Sequence, residues 1–320
     1  MQSPYSEPQR DSRLYHTVSG SAMKKTVGMI GLGKMGLPIA ANLLEHGFTV
    51  IGYRRHMNDD FTTMGGTPAL SSKEVAQQCD VVITCLSDDG ALLDAVSGEN
   101  GLIHGTHPGL TVVDIGMLSL QAKEQARRSL EQVGAHMLDC PISGIPPQVL
   151  TRKTVLFASG EKYLFERCKP VFEGFTSTIF YLGDFGAGTK MKCIANLLVG
   201  IHVLAAAEAM VLSTKAGLDP ATVIQVLSPS VASSAQFVAR APMMVLRRYE
   251  PALSTIHQLE ECIVIIKTLA KAVDSPTPLL DIATQYYEGA ISDGLGEKDV
   301  AAMYSFLEKM IGQDESGAQV

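Results

Sequence analysis

The sequence predicts an α/β unit, doubly wound on a parallel sheet, followed by an all-α C-terminal unit. Two observations carry that prediction. Between residues 26 and 183, short β-rich runs alternate with helical patterns, and such alternation builds a mostly parallel sheet covered by helices on both faces. Beyond residue 181 no strand pattern recurs, whereas long apolar-periodic segments do. A length of 320 residues accommodates two such units, since a domain usually holds about 100–200.

The expected strands are 26–30, 49–53, 81–85, 111–115, 136–139 and 154–159. They read as continuous apolar runs, the pattern of parallel strands buried on both faces. Helical patterns at 37–46, 73–78, 91–96 and 119–133 lie between them. The segment 190–215 has no proline, is rich in Ala, Leu, Val and Met, and is long enough for a helix of about 40 Å. It is apolar nearly all round, so a buried helix is expected. Gly217 supplies the stop, Asp219 the next N-cap and Pro220 the next first helical position. Further helical patterns follow at 252–273, 278–292 and 298–311. The expected layout is a polar tail at 1–25, the α/β domain at 26–185, the helical domain at 186–312 and a tail at 313–320.

Composition removes several function classes. A formal net charge of −7, with no Lys/Arg-rich run, argues against a nucleic-acid surface. No apolar stretch reaches the ~18–20 residues of a membrane span without a charge or a Gly/Pro break. Residues 1–25 contain two prolines and lack the apolar core of a secretory signal, so a cytoplasmic location is expected. Cys79, Cys85, Cys140, Cys168, Cys193 and Cys262 form no CxxC, and the histidines form no HExxH. Neither a disulfide framework nor a metal site is therefore expected.

The first motif with chemistry is Gly31-Leu32-Gly33-Lys34-Met35-Gly36. A GxGxxG pattern alone is weak, but this one follows an apolar strand and opens a helix, the context a dinucleotide-binding loop requires. Gly31 permits the tight turn, Gly33 lets backbone approach a pyrophosphate, and Gly36 lets helix and strand pack closely. The helix N-terminus offers free N–H groups and a positive dipole end. A Rossmann domain follows from this reading. At the end of the second strand, where NAD-binding domains usually place Asp or Glu, stands Tyr53-Arg54-Arg55. Two guanidiniums without an adjacent carboxylate suit a 2′-phosphate, so NADP(H) is the expected cofactor, with NAD(H) second.

With these residues in place, the chain resembles the β-hydroxyacid dehydrogenase family. That family includes 3-hydroxyisobutyrate dehydrogenase, tartronate semialdehyde reductase and glyoxylate/succinic semialdehyde reductase, and more distantly 6-phosphogluconate dehydrogenase. The stretch from Gly28 to Pro38 is similar to the family's N-terminal signature. Asp139-Cys140-Pro141-Ile142-Ser143-Gly144 resembles its substrate motif, and Gly186-Ala187-Gly188 with Lys192 and Asn196 resembles its catalytic motif. The resemblance implies that Lys192 is the general acid/base, that Asn196 orients substrate and lysine, and that Ser143 and Gly144 hold a substrate carboxylate. It also implies that Leu86 packs beside the cofactor, and that the helical domain joins subunits into a homodimer or homotetramer. Lys192 and Asn196 stand four apart, which puts both on one helix face. A lysine whose pKa is lowered by desolvation can donate a proton to a developing alkoxide.

Several positions depart from the family pattern. Gly116-Met117 replaces Ser-Thr after the fourth strand, Ile145 replaces the second glycine of the substrate motif, and Glu260-Glu261 stands where a Lys-Asp pair is usual. A more apolar pocket is expected around Met117 and Ile145, and Arg152 is a candidate carboxylate clamp. The function expected is hydride transfer between NADP(H) and a 3-hydroxy acid or its semialdehyde. Two alternatives remain open: an imine reductase of the same fold, and a catalytically silent NADP-binding protein.

Overall fold

A computed structural model describes residues 25–56 and 59–310. All but Lys25 of the expected tail at 1–25, the expected tail at 313–320 and the last position of the helix expected at 298–311 lie outside the described residues. Six strands form one parallel sheet: β1 (Thr26–Ile30), β2 (Thr49–Tyr53), β3 (Thr67–Pro68), β4 (Val81–Thr84), β5 (Thr111–Asp114) and β6 (His136–Asp139). Their order is β3-β2-β1-β4-β5-β6, so the chain reverses direction of growth between β1 and β4, where doubly wound sheets bind ligands. The register aligns Ile30 with Tyr53 and Thr84, Thr84 with Asp114, and Asp114 with Asp139. All the loops that carry chemistry therefore leave the sheet along one rim.

Helices α1 (Gly36–Glu45), α2 (Asp59–Thr63), α3 (Ser72–Gln78), α4 (Asp89–Ser97) and α5 (Leu120–Glu131) connect these strands. Side-chain caps set three of the starts: Ser71 accepts from the Glu74 N–H, Asp88 from Ala91 and Ser119 from Ala122. The Rossmann domain ends in a second small sheet, β7 (Ile142–Ser143), β8 (Val155–Ala158) and β9 (Thr178–Tyr181), with α6 (Pro146–Leu150) and α7 (Lys162–Phe175) between. An Asp139–Ser159 bridge ties it to the large sheet. The sequence reading omits β3, β7, β9, α2, α6 and α7. Two-residue strands show no period, and α7 carries an internal Pro170 that reads as a breaker.

The helical domain is built around α8 (Ala187–Lys215), against which α9 (Pro220–Leu227), α10 (Ala235–Val245), α11 (Ile256–Ala272), α12 (Pro278–Ser292) and α13 (Met303–Met310) pack. Helix α10, with Pro242 inside, also went unread. By length and composition alone α8 qualifies as a membrane span. However, its Val203, Ala207 and Met210 are fully buried in the core of this domain. The expectation that the whole helix is buried is corrected: Ile194 is 55% exposed, Leu198 48% and Leu212 68%. The described helices do not surround α8, so one apolar face stays open among the described residues of the single chain.

Candidate active site

The phosphate loop has the geometry its glycines predict. Gly31 has φ 93°, and a Cβ there would strike the Cys85 carbonyl; at Gly36 it would strike the Gly31 carbonyl. Around Gly33 a Cβ would meet nothing within 4 Å, so the loop's outer face is open. No side chain caps α1; the Leu37 N–H is taken by the Gly33 carbonyl at 3.0 Å, and the Gly36 N–H at the helix start has no partner among the described residues and is left to a ligand. These features fit a dinucleotide pyrophosphate. Leu32 is buried beneath the loop, while Gly33 and Lys34 are exposed and Met35 half-buried. Leu86 flanks the loop: its Cδ2 lies 3.2 Å from the position of a Cβ on Gly31.

At the end of β2 the two arginines separate. Arg54 donates to the Leu32 carbonyl at 2.7 Å and pairs with Asp60 at 2.9 Å. The expectation of two guanidiniums with no carboxylate beside them is thus corrected. Asp60 lies six residues on, at the start of α2, and folds back onto Arg54. Arg55 is exposed, with no hydrogen-bond or ion-pair partner among the described residues.

At the end of β6, α8 is clamped to the rim of the sheet. Gly186 has φ 91° and turns the chain into the helix. A Cβ on Gly188 would lie 2.7 Å from the Asp139 carbonyl oxygen and 2.9 Å from Pro141 Cδ, with the Phe157 carbonyl closer still. The Asp139 carboxylate accepts from the Thr189 N–H at 2.8 Å and from its hydroxyl at 2.7 Å. Ser159 Oγ accepts from the Gly188 N–H at 2.9 Å. An acidic group and a hydroxyl thereby satisfy N–H groups at the positive end of a 29-residue helix.

Lys192 follows one turn later. It is half-buried, and burial holds its amine below the ordinary lysine value, with the nearby Cys262 and Cys193 thiols acting in the opposite sense. The amine has no hydrogen-bond or ion-pair partner among the described residues. Asn196, buried to 7% exposure, lies beside the Cys262 thiol and, with Lys192, opposes the upward push that burial gives that thiol. Cys262, on α11, is a site residue the sequence reading missed. Attention fell on the adjacent Glu260 and Glu261, of which Glu261 is exposed and Glu260 half-buried.

Ser143 and Gly144 follow β6 on the same rim. Ser143 is half-buried, its hydroxyl unbonded among the described residues; Gly144 has φ 153°, and a Cβ there would press on Thr154. Ile145 opens α6, its N–H donating to the Gln148 side chain at 3.0 Å. Met117 reaches across to the apolar core of the helical domain, so the departure from Ser-Thr makes that wall greasy. Arg152 is not a carboxylate clamp. Held at φ 56°, it bonds His46 Nε2 at 2.5 Å and donates to the Glu173 carbonyl, at the ends of α1 and α7. Helix C-termini offer negative dipole ends and unpaired carbonyls, and these capture the guanidinium.

Beneath the rim lies a cluster the sequence reading did not anticipate. Lys123 is fully buried and pairs with Asp114 and Asp139, both at 2.8 Å and both fully buried. A signal existed: Lys123 falls within the inward stripe of α5, beside Ala122, Ala126 and Leu130.

Comparison with known proteins places this geometry. Residues 26–183 match a family described as the NAD binding domain of 6-phosphogluconate dehydrogenase. Residues 186–307 match one described as NAD-binding of NADP-dependent 3-hydroxyisobutyrate dehydrogenase. L-threonate dehydrogenase from Cupriavidus necator is 31% identical over 284 residues, covering 88% of this chain and 95% of that protein. Glyoxylate/succinic semialdehyde reductase 2 from Arabidopsis thaliana is 29% identical, covering 88% of this chain and 79% of its own length. The crystal structure of 3-hydroxyisobutyrate dehydrogenase from Salmonella typhimurium superposes with a TM-score of 0.80 at 27% identity, covering 88% of this chain and 99% of that one. The chain belongs to the β-hydroxyacid dehydrogenase family of NAD(P)-dependent dehydrogenases and reductases.

Proposed function

We propose that the chain transfers a hydride between NADP(H) and a 3-hydroxy acid or the matching semialdehyde, with Lys192 as general acid/base. The observation that carries this reading is Lys192 itself: an unpartnered, half-buried amine one turn into a helix whose start is clamped to the ligand-binding rim. A buried lysine without a partner is costly, and burial brings it closer to the pKa that proton transfer needs.

The Gly31–Gly36 loop would hold the pyrophosphate of the dinucleotide, whose nicotinamide would supply the hydride in reduction and accept it in oxidation. The protein's own contribution is positional and electrostatic. In reduction, the protonated Lys192 donates to the carbonyl oxygen as negative charge develops there; in oxidation, the neutral amine removes the hydroxyl proton. Asn196 orients the reacting group, while Ser143 and the backbone at Gly144 receive the substrate carboxylate. Met117 and Leu86 narrow the cleft with apolar surface and exclude water. Similarity to proteins named for L-threonate, glyoxylate and succinic semialdehyde supports a small carboxylate as substrate. Exposed Arg55 and Lys34 support the 2′-phosphate preference, with Arg54 already bound to Asp60.

The open apolar face of α8 supports assembly of a homodimer or homotetramer, since Met191, Ile194 and Leu198 would otherwise face water. NADPH absorbance, followed with semialdehydes, glyoxylate and cyclic imines, tests the reading. Turnover of an aldehyde acid is expected. Turnover of imines alone would favour an imine reductase, and tight NADPH binding with no turnover on a broad panel would favour a silent binding protein. Light scattering checks the assembly, which a monomer at micromolar concentration would contradict.

A further inference from the structure

Resting on that reading, the structure assigns Lys123 as a positioning residue for Lys192. Its ammonium is the knot that ties two strand ends, one pocket loop and the first turn of the catalytic helix into a single rigid unit.

Lys123 donates to Asp139 Oδ1 and to the Gly116 carbonyl, both at 2.8 Å. Asp114 Oδ2 lies 2.8 Å from the same ammonium as an ion pair, and among the described residues the cation is the only group that compensates this buried oxygen. Asp114 ends β5 and accepts, at its other oxygen, from the Thr84 hydroxyl of β4 at 2.7 Å. Gly116 belongs to the loop that carries Met117 to the cleft, and it sits tightly, since a Cβ there would lie 3.1 Å from the Leu86 carbonyl. Asp139 ends β6 and holds Thr189, three residues before Lys192, by two bonds. One ammonium thus sets the pocket loop and the base of Lys192 against each other.

Charge explains why the link is a lysine. Asp114 and Asp139 are both fully buried and face the same point. Without the cation, two carboxylates would confront each other in a low-dielectric interior, and the Gly116 carbonyl would lose its donor. Burial already pushes the Asp114 carboxyl above its ordinary range, with Lys123 opposing it. A neutral link would spread the strand ends that Lys123 draws together.

The test uses the full-length protein and the double variant Lys123→Met with Asp114→Asn, which removes the cation together with one of its two carboxylates. Thermal melting and NADPH titration establish that the variant folds and binds cofactor. The expected result is a kcat lower by about tenfold or more, the scale that small misplacements of a reacting group produce, with the NADPH Kd within about twofold. A second readout needs no turnover: competitive acetylation of Lys192 across pH, read by mass spectrometry. Loosening the first turn of α8 exposes the amine, so the labelling midpoint should move up toward that of an ordinary lysine. Asp114→Asn alone should shift both quantities the same way by less, and it carries the test if the double variant does not fold. A folded variant with wild-type kcat and an unmoved labelling midpoint would overturn the assignment. If the wild-type protein turned over no substrate, the functional reading would fall, while the labelling midpoint would still decide the role of Lys123.

Discussion

Gly188→Ala is the sharpest single perturbation of the catalytic helix, because it adds one methyl group where backbone atoms leave no room. The new Cβ would lie 2.7 Å from the Asp139 carbonyl oxygen and 2.9 Å from Pro141 Cδ, against about 3.4 Å for ordinary contact. The Phe157 carbonyl is closer still, and a strand carbonyl cannot rotate away as a side-chain tip can. The start of α8 must therefore lift by roughly 0.7 Å or more. Overpacking of this kind costs about 1–3 kcal/mol of stability. The same displacement stretches both Thr189–Asp139 bonds and carries Lys192 with it, and a shift near 1 Å can cost about a hundredfold in rate. Steady-state kinetics on the aldehyde substrate, with NADPH binding measured separately, should show kcat falling by about 10–100-fold while cofactor affinity holds. Wild-type kcat together with a wild-type melting temperature would refute the reasoning, since the methyl would then have found space that the geometry denies.

Four further outcomes are expected. Lys192→Ala should lower kcat by about 10²–10⁴-fold and leave the NADPH Kd nearly unchanged, as titration and turnover assays would show. The pH dependence of the wild-type reaction has a defined sign. The amine is protonated below its pKa, which burial sets under the ordinary lysine value of 10.5. Reduction, which needs the acid, should therefore fall, and oxidation should rise, at a pH lower than an ordinary lysine would give; kcat/KM profiles in both directions check this. Arg55→Ser should erode the preference for NADPH over NADH, measured as the ratio of kcat/KM values, because Arg55 is the guanidinium at the end of β2 with no partner among the described residues. Arg152→Ala should leave the substrate KM unchanged and lower stability by about 1 kcal/mol through the lost contacts with His46 and the Glu173 carbonyl.

Much of the fold was legible because its signals are local. Strands β1 and β2 and helix α12 coincide with the expected spans, since apolar runs bounded by turns and a Pro at the first helical position report directly on the backbone. The phosphate loop was legible for the same reason: Gly31 answers a local demand of φ and contact and Gly36 one of contact, while Gly33 leaves the outer face open. The failures are non-local. Arg54 looked free because Asp60 is six residues away and becomes its partner only when α2 folds back. Arg152 looked like a clamp because nothing in its neighbourhood of sequence announces His46, 106 residues earlier. Cys262 joins Asn196 only through the packing of α11 on α8.

Lys123 shows where the two kinds of information meet. Its spacing places it on the inward face of α5, between Ala122 and Ala126, and a lysine there conflicts with the apolar pattern around it. A local rule broken at an inward position marks either a destabilised chain or a residue with distant partners. The partners are Asp114 and Asp139, at strand ends the sequence already identified, and parallel pairing of β5 with β6 brings them into register. A buried ion cluster is a poor source of stability, since desolvation offsets most of its attraction. It is far better suited to fixing geometry, because each charge accepts few alternatives to its present neighbours. Here the geometry fixed is the start of α8, the helix that carries Lys192 three residues after Thr189.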